Sequence, residues 1–466
     1  MFSGRARSVL ARVAGAVLIV LSVAFGPAVG DGLRGDALPL PSAAPRVVDP
    51  QPRAPTRLDC QRLALGLPEP VPHPPAPFGS ADLRDPSGTA LSSFYAALAA
   101  AGSGRGIARV MYFGDSHVAA DSMTGRIRHN LQSRFGDAGV GFLLPAKPLK
   151  WYSHTEVELG QAAGWDVLAV RKAHDLERRV GPAGFALIAQ DSAWATFRLR
   201  SSDVDVNRRA RLQVFFLQQP AGGHASIMLD GMETKSWSTS SPGMEETAGY
   251  FESSLRRMPQ EVEIGAFGDG PVTLYGLTLE RTGSGVVLDT LGIPGARAKD
   301  HLLWDDDMYR EHLVKRAPDL VVLSYGTNEG TDTGEPLSLF ETNLRQVLSR
   351  VHAAVPTASC LLVGPTDHPQ RVGARAFRPR KRTTQIIEAQ RRIAAEKHCG
   401  FIDLVAVMGG PMSMLKLVSE HYAGGDYTHF TRRGYEAFAD AISGAMVSGF
   451  KSWQRAQCGQ GDRASQ

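Results

Sequence analysis

The chain has 466 residues, 43% of them hydrophobic and 21% charged, and a formal net charge of +4. That length exceeds one ordinary core and predicts two folded units with unstructured ends. So small a charge makes no case for nucleic acid. Cys and His do not fall at metal-ligand spacing and no Gly-rich phosphate loop precedes a Lys, so no metal or cofactor is expected.

Residues 1–30 read as an export signal. Arg5, Arg7 and Arg12 precede an apolar run from Val13 to Phe25, and the small residues Ala28 and Gly30 follow. The run is short for a bilayer span, which favours a cleaved signal peptide over an uncleaved anchor. Either way the protein is expected outside the cytoplasm, periplasmic or secreted, with membrane contact only if the anchor stays. Residues 31–80 are Pro-rich and read as a linker. In an exported chain the four cysteines are expected to pair. Cys360 and Cys399 each adjoin a strand-like run, so Cys360–Cys399 with Cys60–Cys458 is the favoured arrangement.

From Ile107 the pattern becomes regular. A strand at Ile107–Phe113 is followed by a helix at Met123–Phe135, both in a first α/β portion over 81–145. Residues 146–282 break the rhythm with short β-rich runs (Trp194–Leu199, Leu212–Leu217, Ser226–Leu229, Glu261–Ile264, Val272–Leu279) and turn residues between them, which predicts an inserted all-β sandwich. Alternation returns over 283–455. Strands are expected at Val286–Leu291, Leu320–Tyr325, Cys360–Val363 and Phe401–Val405, with helices at Asp300–Arg316, Pro336–Ala354, Thr384–Lys397 and about Gly434 to Trp453. Strand–helix alternation predicts a parallel sheet covered on both faces. Residues 456–466 read as a tail.

Three short blocks carry chemistry. Gly114-Asp115-Ser116-His117 sits just past the first strand, where an open α/β sheet binds ligands and a helix start favours negative charge. Ser116 there is either a nucleophile or merely the cap of the next helix. Gly425-Asp426-Tyr427-Thr428-His429 precedes the last helix. Its spacing lets Asp426 reach one ring nitrogen of His429 and leaves the other free to act as a base. Gly326-Thr327-Asn328-Glu329 and Gly292-Ile293-Pro294-Gly295-Ala296 each follow a strand, so the Asn328 amide and the Gly295 backbone N–H can serve an oxyanion, or the glycines only make tight turns.

Taken in order, these blocks resemble the SGNH (GDSL) hydrolase family. The matching positions are Gly114–Ser116, Gly295, Gly326–Asn328 and Asp426–His429, and Glu329 departs from the usual Asp. The resemblance implies a flavodoxin-like three-layer fold and an acyl-enzyme mechanism, with Ser116, Asp426 and His429 catalytic and Ser116, Gly295 and Asn328 forming the oxyanion hole. The strings Gly-Asp-Ser-His-Val-Ala-Ala-Asp (114–121), RFGDAGVGF (134–142) and Tyr-Gly-Thr-Asn-Glu (325–329) are most similar to bacterial peptidoglycan O-acetylesterases, which carry a carbohydrate-binding-like insertion at this place. By that likeness the partner is an acetylated glycan substrate, and His117 and Asp121 are polar supports of the nucleophile loop. An O-acetyltransferase would use the same residues, and a non-catalytic wall-binding protein is the reading from another class.

One feature is read from this sequence itself and not from the resemblance. Arg371, Arg375, Arg378, Arg380, Lys381 and Arg382 crowd the approach to a helix start, where the helix dipole disfavours cations. They form either a solvated basic loop or a contact for a polyanion, with Arg378 and Arg380 as the candidate substrate-binding residues.

Overall fold

The computed structural model describes residues 78–171, 179–200, 208–374 and 376–461. The expected export signal, most of the linker, Cys60 with its pairing to Cys458, and Arg375 lie outside the described residues. Strand β1 (Leu83–Arg84) and helix α1 (Ser92–Gly102) lead into β2 (Ile107–Gly114), α2 (Ser122–Phe135) and β3 (Gly139–Leu143). Then come β4 (Val157–Ala163), β5 (Asp166–Ala169), β6 (Phe185–Ala189), β7 (Ala193–Leu199) and β8 (Ala210–Gln218). After them follow β9 (His224–Leu229), β10 (Glu233–Ser238), β11 (Thr247–Leu255), β12 (Glu261–Ala266) and β13 (Val272–Arg281). Alternation resumes with β14 (Gly285–Gly292), α3 (Asp306–Arg316), β15 (Leu320–Ser324), α4 (Leu337–Ala354) and β16 (Ser359–Val363). A small hairpin, β17 (Gln370–Arg371) with β18 (Phe377–Arg378), precedes α5 (Lys381–Glu396) and β19 (Gly400–Ile402). Helices α6 (Leu404–Val407), α7 (Ser413–Ser419) and α8 (Arg432–Gly461) complete the described chain.

The strands β1-β19-β16-β15-β2-β14 form one sheet, parallel except for β1. Its parallel strands run in flavodoxin order, the second strand outside the first and the rest on the other side. Strand β15 reads LVVLS and is buried throughout, as a strand covered on both faces must be. Side-chain alternation builds two separate cores. Val110, Tyr112 and Val322 face Leu98 of α1, Ile127 of α2 and Phe438 of α8. Met111, Phe113 and Leu323 turn the other way, towards Tyr309 of α3, Leu344 of α4 and Ile386 of α5. Truncating any one of these buried aliphatics to Ala costs about 2–5 kcal/mol.

Two antiparallel sheets occupy the middle of the chain, β10-β9-β12-β7-β4 and β11-β8-β13-β6-β5. Phe197, Ile227 and Ile264 of the first meet Leu187, Val214 and Leu277 of the second in one apolar cluster. The second sheet also takes in β3, which pairs with β13 and lies ahead of the expected boundary at 146. Charge fastens it to the α/β sheet. Arg316, at the end of α3, donates to both carboxylate oxygens of Asp289 on β14 (2.7 and 2.9 Å) and to Glu280 on β13 (2.7 Å), all in a buried setting.

Several elements differ from the sequence reading. The expected helix Asp300–Arg316 divides into a 3-10 turn, Ala298–Leu303, and α3, because Asp305 accepts the Met308 N–H (2.9 Å) and restarts the helix as its N-cap. The strand expected at Phe401–Val405 stops at Ile402 for the same reason: Asp403 caps α6 through Ala406 N–H. The expected tail from 456 is helical to Gly461. The periodicity does not predict helix α1, whose Ala-rich sequence shows little of it. Cys360 and Cys399 form a disulfide, 39 residues apart in sequence.

Candidate active site

Strand β2 ends at Gly114, and a turn carries Asp115 and Ser116 over the carboxyl edge of the sheet. Val118 N–H and Ala119 N–H both donate to Asp115 O, which closes the turn. Ser116 is therefore not a helix cap; Asp121 holds the N-cap position of α2. The turn presses closely on the neighbouring strand end. A Cβ on Gly292 would stand 2.3 Å from Ala119 N, so only glycine fits there.

The second component arrives on the loop between α7 and α8. Gly424 N–H donates to His429 O (2.7 Å) and Tyr427 N–H to Gly424 O (3.0 Å), closing a tight turn. Within it the Asp426 carboxylate accepts the backbone N–H groups of Thr428 (3.1 Å) and His429 (3.0 Å) through one oxygen. Its other oxygen lies 2.7 Å from His429 Nδ1. His429 Nε2 lies 2.9 Å from Ser116 Oγ. Desolvation raises the Asp426 pKa, but the hydrogen bonds from the His429 ring, His429 N–H and Thr428 N–H outweigh it and hold the carboxyl below its usual range. The dyad is open to solvent, with side-chain exposure of 46% for His429 and 53% for Asp426.

Two further loops close round Ser116. Gly295 sits at φ +73°, a left-handed conformation that favours glycine, and an added Cβ would meet Arg171 Nη1 at 2.7 Å. The backbone N–H groups of Ser116 and Gly295 have no acceptor among the described residues. Asn328 follows β15, and its amide donates to Ala296 O (3.0 Å) and, more weakly, to Asp115 Oδ2 (3.3 Å). The fold thus brings Ser116, Asp426 and His429 into one hydrogen-bonded line, with Asn328 tied to the residue next to Ser116.

Asp115 was given no role from the sequence, although it stands in the same tetrapeptide as Ser116. Burial pushes its carboxyl up to about 7, against hydrogen bonds from the backbone and the nearby His429. His117 is buried between Tyr435 Oη (3.1 Å) and Thr366 Oγ1 (3.4 Å), and desolvation lowers its pKa to about 3, so it is a neutral support. Asp121 is fully buried and takes two hydrogen bonds from Arg128 (3.1 and 2.8 Å) and one from Thr290 (2.5 Å). Arg378 lies on a hairpin whose Phe377 ring packs against Tyr427, at 4.5 Å between centroids, and Arg380 follows it at the N-cap of α5. That contact joins a distant segment to the turn that holds Asp426 and His429, and it has no local signal in the sequence.

Residues 247–437 match the GDSL-like lipase/acylhydrolase family, a span that holds Gly295, Asn328, Asp426 and His429 and starts after Ser116. Among solved structures, a peptidoglycan O-acetylesterase superposes with a TM-score of 0.68 at 23% identity, covering 79% of this chain and 99% of that one. A family two carbohydrate esterase from Cellvibrio japonicus gives a TM-score of 0.26 at 10% identity, covering 62% and 99%. No curated protein matches by sequence. The fold is that of an SGNH hydrolase.

Proposed function

We propose that this SGNH-type esterase removes O-acetyl groups from a cell-wall polysaccharide, peptidoglycan above all, through an acyl-enzyme on Ser116. The observation that carries the reading is the line Asp426–His429–Ser116, with contacts of 2.7 and 2.9 Å at the carboxyl edge of the parallel sheet. An ionised Asp426 holds the proton on Nδ1, which leaves the Nε2 lone pair facing Ser116 Oγ. His429 takes the serine proton as Oγ attacks the acetyl carbonyl, then gives it to the departing sugar oxygen. The N–H groups of Ser116 and Gly295, which have no acceptor among the described residues, take the oxyanion. Asn328 joins them by exchanging its long contact to Asp115 for one to the developing charge. Water, activated by His429, then releases acetate.

Support for the substrate comes from three sides. The chain shares nearly its full described fold with a peptidoglycan O-acetylesterase. The half-exposed dyad admits an acetyl group carried on a polymer. The basic, apolar and small-residue pattern of residues 1–30 fits an exported protein that works where wall polymer is found.

The test is acetate release from O-acetylated peptidoglycan by the parent protein and by Ser116→Ala. Release by the parent alone is expected. Release from a small acetyl ester but not from the wall would overturn peptidoglycan as substrate and keep the esterase. Transfer of acetyl to a glycan hydroxyl, with no free acetate, would replace hydrolysis by group transfer.

A further inference from the structure

The hairpin of β17 and β18 carries cations that the fold does not neutralise. Arg371, Arg378 and Lys381 are exposed, and none has a carboxylate partner among the described residues. Arg371 donates to Ala374 O (2.8 Å) and lies over the Phe377 ring at 5.6 Å, while Arg378 donates to Gln370 Oε1 (3.1 Å). Arg380 is half-buried and donates to His368 O (3.1 Å), which braces the base of the hairpin. The next helix, α5, behaves differently. Its Arg391 pairs with Asp403 (3.0 Å) and its Arg392 with Glu341 (2.6 Å). Arg391 and Arg392 are thus neutralised, whereas Arg371 and Arg378 on the hairpin meet no carboxylate among the described residues.

Its position is fixed against the triad. Phe377 packs on Tyr427, which stands between Asp426 and His429 and holds a left-handed φ of 57°. That conformation is strained for a bulky residue and is retained only where surrounding contacts support it. His368 is within electrostatic reach of Arg380, Asp426 and His429, and burial above all lowers its pKa to about 4. The cations are thus carried by an element that is docked, through Phe377, on the turn holding Asp426 and His429.

We propose that the hairpin is an anion subsite of the esterase, in which Arg371 and Arg378 bind carboxylates of an anionic acetylated glycan and seat the ester-bearing sugar over Ser116. Guanidinium groups bind carboxylates in directed, charge-assisted pairs, and a patch of one sign concentrates a polyanion at its edge. The inference rests on the esterase reading for its reaction, but the binding step can be read without turnover.

The experiment compares the full-length parent, Arg371→Gln/Arg378→Gln and Arg371→Lys/Arg378→Lys. Each is measured for co-sedimentation with insoluble peptidoglycan, and for kcat/KM on O-acetylated peptidoglycan, a neutral acetylated polysaccharide and p-nitrophenyl acetate. The Gln pair is expected to weaken sedimentation and to lose about tenfold more kcat/KM on the anionic polymer than on either neutral substrate, the loss shrinking with salt. The Lys pair, which keeps the charge, is expected to recover most of it. Equal losses on anionic and neutral substrates, unchanged sedimentation, or no recovery with Lys would overturn the subsite. Absence of any ester turnover in the parent would overturn the proposed reaction instead, and sedimentation would still decide the anion contact.

Discussion

Glu329 reaches from the loop after β15 to the loop after β14 and accepts the backbone N–H of Ala298 at 2.8 Å. Its second oxygen accepts Gly326 N–H at 3.0 Å, so one buried carboxylate ties together the loops that carry Gly295 and Asn328. A second strap, the bidentate pair of Arg297 with Asp332 (both contacts 2.5 Å), joins the same loops near the surface. The glutamate that departs from the family pattern therefore bridges the two loops proposed to present the oxyanion donors.

Glu329→Gln keeps the size but sets an amide N–H against one of two backbone N–H donors. The loss of one buried hydrogen bond is expected to cost about 1–3 kcal/mol of stability at pH 8. Burial raises the Glu329 pKa from 4.5 to about 7, so the folded state holds its proton more tightly than the unfolded chain does. This group therefore favours folding below its unfolded value, and that advantage fades as pH rises through about 7, by on the order of 3 kcal/mol. The Gln variant should show a flatter stability profile across that window in urea titrations at pH 5 and pH 8. A parallel profile in parent and variant would assign the titration elsewhere.

A buried histidine gives the opposite slope. His312 lies against Tyr250, Tyr275 and Phe215, its Nε2 without a partner among the described residues, and desolvation lowers its pKa from 6.5 to about 3. The unfolded chain takes up the proton first, so stability is lost as pH falls below about 6.5, reaching about 2 kcal/mol at pH 5. His312→Phe keeps the ring contacts and removes the titration. Its melting temperature should fall less than the parent's between pH 7.5 and pH 5.

Arg316→Met should loosen the β sheets from the α/β core. Among the described residues the change leaves Asp289 without a cation and Glu280 with Arg109 alone (2.7 Å), in a setting where removal of one charge costs about 3–5 kcal/mol. Hydrogen exchange should rise first along β13 and β14. Faster exchange confined to α3 would show that the pair holds only the helix.

Truncation of the dyad should separate positioning from proton transfer. Ser116→Ala is expected to lower kcat by roughly 10^4-fold or more, and Asp426→Asn by about 10^3–10^4-fold with little change in KM. Release of acetate by Asp426→Asn at near-parental rates would mean that another group orients His429.

Much of this protein is written locally. The alternation of apolar runs forces a parallel sheet, because β15 has no polar face to show water. Asp426 and His429 are three residues apart on one turn, so their contact follows from the chain itself. The blocks at 114–117, 292–296 and 326–329 each follow a strand, and parallel strands deliver all their ends to one edge. What the sequence could not express are relations between distant segments. The buried charges of Arg316, Asp289 and Glu280, the docking of Phe377 on Tyr427, and the reach of Glu329 to Ala298 have no spacing rule. Each arises only when packing removes water, since desolvation is what makes a carboxylate seek a particular donor or an aromatic ring a particular neighbour.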